Sequence, residues 1–241
     1  MVDRRAHLVL SEKIALVTGG TGALGSVIAE RLSAQGAQVA ATYHSEGGSG
    51  RIPETLKQKV ALVKANVTDE REVRALYDGI VSTWSHIDIV VNTVGGFLPR
   101  KPLTEVTLEE WDLMMNINLK SAFLSTREAI RRMKGQPYGR IVNLSAKVGL
   151  DPTPGRTAYA ISKAGVSLLT DLVAQEVKGT GITVNAIAPS IIATRANIES
   201  MPDEDTSAWV TADQIADLVC YLCSPDASGI TGTTIKAYGG V

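Results

Sequence analysis

Residues Ile14 to Ala41 read IALVTGGTGALGSVIAERLSAQGAQVAA, and this stretch decides the fold. Ile14 to Val17 is an apolar, β-prone run, Thr18 to Gly25 is a glycine-rich turn, and a helical pattern follows. Leu24, Ile28 and Leu32 recur every fourth residue, which places one apolar stripe on that helix. Gly36 supplies the helix stop, and Val39 to Ala41 predicts a second buried strand. The unit is β-turn-α-β, and its turn suits a phosphate. Glycines let a pyrophosphate approach the backbone, and the helix N-terminus offers free N–H groups and a favourable dipole. A glycine pattern alone is weak, but strand, helix and second strand are the context that gives it meaning.

The surrounding composition sets bounds. A chain of 241 residues, 44% hydrophobic and 20% charged, is long enough for one globular α/β domain over residues 1–241. Its net charge of −1, without a basic stripe, argues against nucleic acid as a partner. No apolar run approaches the roughly 20 residues that span a bilayer, so no membrane role is expected. Residues 1–10 read as a loose N-terminal tail, too short in apolar length for a secretory signal. Cys220 and Cys223 have C-x-x-C spacing but lack a second ligand pair, and read as small apolar residues on a packed helix. A reducing compartment, the cytoplasm, fits unpaired thiols. His7, His44 and His86 are scattered, so no metal site is predicted.

Working outward, His44 to Leu56 is a Gly/Ser-rich connection and Val60 to Lys64 a third strand. Thr68 is the expected cap of a helix over Glu70 to Thr83. Strands are expected at Ile87 to Asn92, Gly139 to Ser145, Ile182 to Ile187 and around Thr234 to Ala237. Helices are expected at Leu108 to Met133, carrying Trp111, Met115, Leu119 and Phe123 at helical spacing, at Thr157 to Val177, and at Asp213 to Leu222. Strands that are apolar almost throughout and alternate with helices predict a doubly wound parallel sheet, Rossmann-type, of about seven strands covered on both faces.

In such a sheet ligands bind beyond the carboxyl ends of the strands, where Thr18, Asn92, Ser145 and Pro189 stand. The helix after the fifth strand adds Tyr159 and Lys163, four residues apart and so on one face, about 6 Å along the axis. They could be a capped hydroxyl and a solvent-seeking lysine, or an acid–base pair. A free phenol titrates near pH 10, and a nearby ammonium favours the phenolate and lowers that value.

Thr18-Gly19-Gly20-Thr21-Gly22-Ala23-Leu24-Gly25, Asn92-x-x-Gly95, Ser145, Tyr159-x-x-x-Lys163 and Asn185-x-x-x-Pro189 together resemble the short-chain dehydrogenase/reductase family over nearly the whole chain. The resemblance implies hydride transfer between a nicotinamide cofactor and a carbonyl or alcohol. It implies that Tyr159 is the acid–base group, that Ser145 polarises the substrate oxygen, and that Lys163 binds the nicotinamide ribose and lowers the Tyr159 pKa. Asn118, with Asn116 as its near neighbour, matches the asparagine that positions a water beside the lysine. The implied cofactor set is Thr18, Gly19, Gly22, Leu24 and Gly25 in the turn, Asn66 and Val67 at the adenine, Asn92 and Gly95, Tyr159 and Lys163 themselves, and Pro189, with Ile192 and Thr194 after it at the carboxamide.

The chain departs from the family at Ala23, at Thr93-Val94 and at Ser190. The position that would hold an acidic residue for the ribose 2′-OH is Tyr43, followed by His44 and Ser45, so NADP is favoured over NAD. The expected substrate is a small ketone or alcohol, 3-oxoacyl groups included. Gly22–Ser26, Gly95-Gly96, Ala146-Lys147, Leu150–Gly155, and Ser200–Pro202 with Trp209 resemble the dihydropteridine reductase branch, which makes reduction of a quinonoid pteridine the alternative. A non-catalytic nucleotide-binding sensor is the third reading. Thr194 to Trp209 is expected to be a short lid carrying the acidic run Met201–Asp205. The family resemblance implies a homo-tetramer or homo-dimer, which the surplus apolar surface on the two long helices fits.

Overall fold

The computed structural model of the chain describes residues 9–45 and 54–240. Its strands are β1 (Ile14–Thr18), β2 (Gln38–Tyr43), β3 (Val60–Lys64), β4 (Ile89–Asn92), β5 (Gly139–Leu144), β6 (Ile182–Pro189) and β7 (Thr234–Ala237). All seven run parallel in one sheet of order β3-β2-β1-β4-β5-β6-β7. The chain starts in the middle, winds out to β3, then returns to β4 on the other side of β1. That reversal opens a crevice at the carboxyl ends of β1 and β4.

The helices are α1 (Ala23–Ala34), α2 (Glu54–Lys57), α3 (Glu70–Trp84), α4 (Leu108–Met114), α5 (Ser121–Met133), α6 (Lys147–Leu150), α7 (Thr157–Glu176), α8 (Arg195–Ser200) and α9 (Ala212–Cys223). They cover both faces of the sheet. Ala15 and Val17 of β1 pack with Ile28 and Leu32 of α1 and Ile215 and Val219 of α9. Ile14 and Leu16 face the other way, with Tyr77 and Ile80 of α3, Leu124 of α5 and Val173 of α7. A strand buried on both faces has no polar side, which is why its sequence alternates nothing.

Several boundaries differ from expectation. The cap of α3 is Asp69, whose carboxylate accepts from the backbone N–H of Arg71 and Glu72, and not Thr68. Asx geometry explains the shift: Thr68 is held instead by Asn66 Oδ1, through its N–H at 3.1 Å and its hydroxyl at 2.8 Å. The expected loose tail falls mainly on residues 1–8, outside the described residues, as does most of the Gly/Ser-rich connection at 46–53. Leu10, the tail's last residue, is fully buried, and its N–H donates to Gln35 O at 3.0 Å. The long helix continues from α4 to α5 through one π-helical stretch, Met115–Lys120. Its inward residues are Met114, Asn118, Ala122 and Ser125, whereas Phe123, from the stripe read in the sequence, is exposed. The lid segment contains α8, which the sequence reading omits.

Candidate active site

Strand register brings the polar ends together. Thr18 pairs with Asn92, and Asn92 with Asn143. Thr18 donates to Asn92 Oδ1 at 3.3 Å, Asn92 Nδ2 to Asn143 Oδ1 at 2.9 Å, and Asn143 Nδ2 to Thr170 Oγ1 of α7 at 3.0 Å. These side chains are buried, and a buried polar group left without a partner is costly. The chain of amides therefore ties the crevice floor to α7, the helix that carries Tyr159 and Lys163.

The glycine turn is tightly packed where a cofactor's pyrophosphate would lie. Gly19 has φ +69°, and its N–H donates to Thr42 Oγ1 at 2.9 Å. A Cβ on Gly25 would stand 2.2 Å from Gly19 O. α1 begins at Gly22 with no side-chain cap and no acidic residue in its first turn. Its leading N–H groups are thus available to an anion, and no carboxylate opposes one. The turn fits a dinucleotide on these grounds. Tyr43 ends β2 and His44 follows it. Asn66 and Val67 follow β3, with Val67 packed in the core and the Asn66 amide oxygen used by Thr68. Pro189 ends β6, Ile192 bridges to Val210, and Thr194 Oγ1 accepts from Asn197 N–H as the cap of α8.

Around Lys163 the contacts are dense. The residue is 5% exposed, and its ammonium donates to Leu144 O at 2.8 Å. Burial draws its pKa down to about 8. A Cβ on Gly95 would come within 2.7 Å of Asn118 Oδ1 and 3.0 Å of the Lys163 ammonium, so only glycine lets the loop after β4 pass there. Asn118, turned inward on the π-helical stretch, accepts from Gly96 N–H at 2.9 Å and donates to Gly96 O and Ser162 Oγ, both at 3.0 Å. Ser162 in turn donates to Tyr159 O at 2.8 Å. The structure thus links Asn118, Gly95-Gly96, Tyr159 and Lys163 in one assembly. Asn116, its near neighbour, is exposed.

Ser145, directly after β5, donates to Lys163 O at 2.9 Å and accepts from Ser167 Oγ at 2.9 Å. The phenol of Tyr159 is half-buried, and burial pushes its pKa up. The charge that opposes this is Arg156, at the start of α7. The Lys163 ammonium itself is hydrogen-bonded to Leu144 O. Ser162, Ser167 and Arg156 escaped the sequence reading. Their one signal was position, since each lies within eight residues of Tyr159, on its helix or at that helix's N-cap.

A doubly wound sheet with an anion-ready glycine turn, and a tyrosine and a buried lysine one helical turn apart on the helix after β5, defines a dinucleotide-dependent protein of the Rossmann type. Residues 20–241 match the family model described as enoyl-(acyl carrier protein) reductase. The chain is 38% identical over 238 residues to a 3-oxoacyl-(acyl-carrier-protein) reductase of Haemophilus influenzae, covering 95% of this chain and 98% of that one. It is 31% identical over 246 residues to glucose 1-dehydrogenase 2 of Bacillus subtilis, covering 96% and 95%. Its fold matches a short-chain type dehydrogenase/reductase from Mycobacterium ulcerans with a TM-score of 0.90 at 24% identity, covering 96% of this chain and 90% of that one.

The chain belongs to the short-chain dehydrogenase/reductase family. It is an NAD(P)-dependent oxidoreductase that transfers a hydride between a nicotinamide and a carbonyl or alcohol. These relatives do not favour the pteridine or sensor readings.

Proposed function

We propose that this enzyme interconverts a ketone and a secondary alcohol, with a 3-oxoacyl thioester or a similarly small 3-oxo compound as substrate, and NADPH as reductant. The observation that carries this reading is Tyr159, half-buried at the crevice mouth one helical turn from the buried Lys163. The similarity to a 3-oxoacyl reductase over 95% of the chain supports a keto substrate.

The nicotinamide dinucleotide, when bound, supplies or accepts the hydride. Gly19, Gly22, Leu24 and Gly25, with Thr18 before them, would hold its pyrophosphate. Tyr43, His44, Asn66 and Val67 would line the adenosine end, and Asn92, Gly95, Pro189, Ile192 and Thr194 the nicotinamide end. No carboxylate stands in the Thr42–Ser45 segment to repel a 2′-phosphate, which supports NADPH over NADH. Tyr159 gives its hydroxyl proton to the substrate oxygen in reduction and takes it back in oxidation. Ser145, rotated from Lys163 O, donates to the same oxygen while Ser167 donates to Ser145 from behind. Lys163 would bind the nicotinamide ribose. Asn118 fixes the loop after β4 against α7.

Leu168 and Leu172 on α7 are 59% and 55% exposed, and Ile161 on the same helix and Phe123 on α5 are exposed as well. A groove of about 410 Å³, lined by Pro152, Pro154 and Ile161 among others, continues this apolar face. We read it as the contact between copies in a homo-dimer or homo-tetramer. No helix among the described residues is long and apolar enough to cross a membrane. The reading places the enzyme in the cytoplasm, where Cys220 and Cys223 stay free thiols.

Replacing Tyr159 by Phe tests the catalytic assignment. The expected result is a loss of at least about 100-fold in kcat with a 3-oxo substrate, with NADPH affinity unchanged. Retained turnover would remove the phenol from the mechanism.

A further inference from the structure

We propose that Arg156 is a positioning residue for Tyr159: its guanidinium pins the loop after β4 across the phenol and supplies the positive charge that steadies the phenolate. This rests on the reading of Tyr159 as the acid–base group. Arg156 is the N-cap of α7, three residues before Tyr159. Its Nη1 donates to Leu98 O, and its guanidinium lies 5.7 Å from the centre of the Phe97 ring. Phe97 in turn faces the Tyr159 ring, with centroids 6.4 Å apart and planes tilted by 54°. Lys101 N–H donates to Gly155 O at 3.1 Å and closes the same junction from the main chain. Loop and helix start are therefore stitched at two points, with an exposed aromatic wall between the arginine and the phenol.

The other charges packed around α7 are engaged elsewhere. Lys101 pairs with Glu110 at 2.5 Å, and Asp151 with Lys236 at 3.6 Å. Lys147 lies over the Tyr238 ring at 5.1 Å, and Lys163 donates to Leu144 O. Arg100, exposed on the pinned loop, bears on Arg156 and not on the phenol: burial and the Arg100 charge both lower the Arg156 pKa, while Tyr159 raises it. Among the described residues no carboxylate forms an ion pair with Arg156. A half-buried guanidinium without a carboxylate, beside a second guanidinium, is unfavourable unless something nearby becomes negative, and the ionised phenol is that group.

The test is a titration of the ligand-free protein. Tyrosine labelled with 13C at Cζ gives one signal per ring, and Tyr159→Phe assigns the signal in question. In Arg156→Gln, which keeps an N–H donor for Leu98 but no charge, the Tyr159 midpoint is expected to rise by about half a unit or more. In Arg156→Lys it should return most of the way, and the basic limb of the pH–rate profile should move with both. An unchanged midpoint in Arg156→Gln, or a lysine variant no better than glutamine, overturns the proposal. Because the titration needs neither cofactor nor substrate, it can fail while the oxidoreductase reading stands, and Tyr159→Phe turnover tests that reading separately.

Discussion

Lys163, on the helix after β5, donates its ammonium proton to the carbonyl of Leu144, the last residue of β5, at 2.8 Å. One hydrogen bond does not replace the hydration of an ammonium, and burial therefore brings the lysine to about 8 from its ordinary 10.5. In the folded protein the proton leaves near pH 8, whereas the unfolded chain keeps it to about pH 10.5. Between those values the unfolded state binds more protons, so the lysine's contribution to stability rises with pH. Below pH 8 the buried charge is a constant cost, on the order of 3 kcal/mol. Urea unfolding of the wild type and Lys163→Met at pH 7.5 and 9.5 should show the wild type gaining about 2 kcal/mol on the variant between the two. A gap that does not change with pH would mean the ammonium is better solvated than its surroundings imply.

The glycine turn makes a contrasting pair of predictions. Gly25→Ala places a methyl 2.2 Å from Gly19 O, which is backbone and cannot step aside without moving the turn. Loss of about 1–3 kcal/mol of stability is expected, together with at least a tenfold loss of dinucleotide affinity by fluorescence titration. Gly79, inside α3, has open space where its Cβ would be. Gly79→Ala should raise stability by about 0.5–1 kcal/mol through helix propensity alone, with kinetics untouched.

Legibility in the sequence followed the physics of each element. Ile14–Thr18 was readable to within a residue, because a parallel strand buried on both faces is a continuous apolar run. The cap of α3 was misplaced by one, since Thr68 and Asp69 are both good caps and only Asn66's hold on Thr68 decides between them. Of the helically spaced stripe from Trp111 to Phe123, Trp111, Met115 and Leu119 are half-buried and Phe123 is exposed. The π-helical stretch, which contains Met115 and Leu119 of that stripe, carries no sequence signal. Tyr159, Lys163 and Asn118 stood out by residue type and interval. Arg156 did not, because its meaning depends on Phe97 and Leu98, almost sixty residues away in sequence.

Cofactor choice turns on the end of β2. Thr42 is committed to Gly19 N–H, so Tyr43 and His44 are the side chains left beside the ribose. Tyr43→Asp would install a carboxylate that repels a 2′-phosphate and accepts from a 2′-hydroxyl. The NADPH KM should rise at least tenfold while that for NADH stays equal or falls. A wild type that already prefers NADH would reverse the assignment before any mutation is made.

The exposed leucines of α7 give the last prediction. Leu168 and Leu172 lie four residues apart, and so on one face of a helix whose opposite face is packed on the sheet. Two large apolar side chains more than half exposed on a regular helix forgo burial energy of about 1–2 kcal/mol each if nothing covers them. A second copy packing α7 on α7 would bring the same residues together across a two-fold axis, which the self-complementary pattern permits. Leu168→Glu with Leu172→Glu should then reduce the particle to a monomer in sedimentation or light scattering, because four carboxylates would meet where four leucines did. The monomer should keep its sheet, since neither residue contributes to the core, and its thermal midpoint should become independent of protein concentration. If the double variant sediments as the wild type does, the copies meet elsewhere and this face is free.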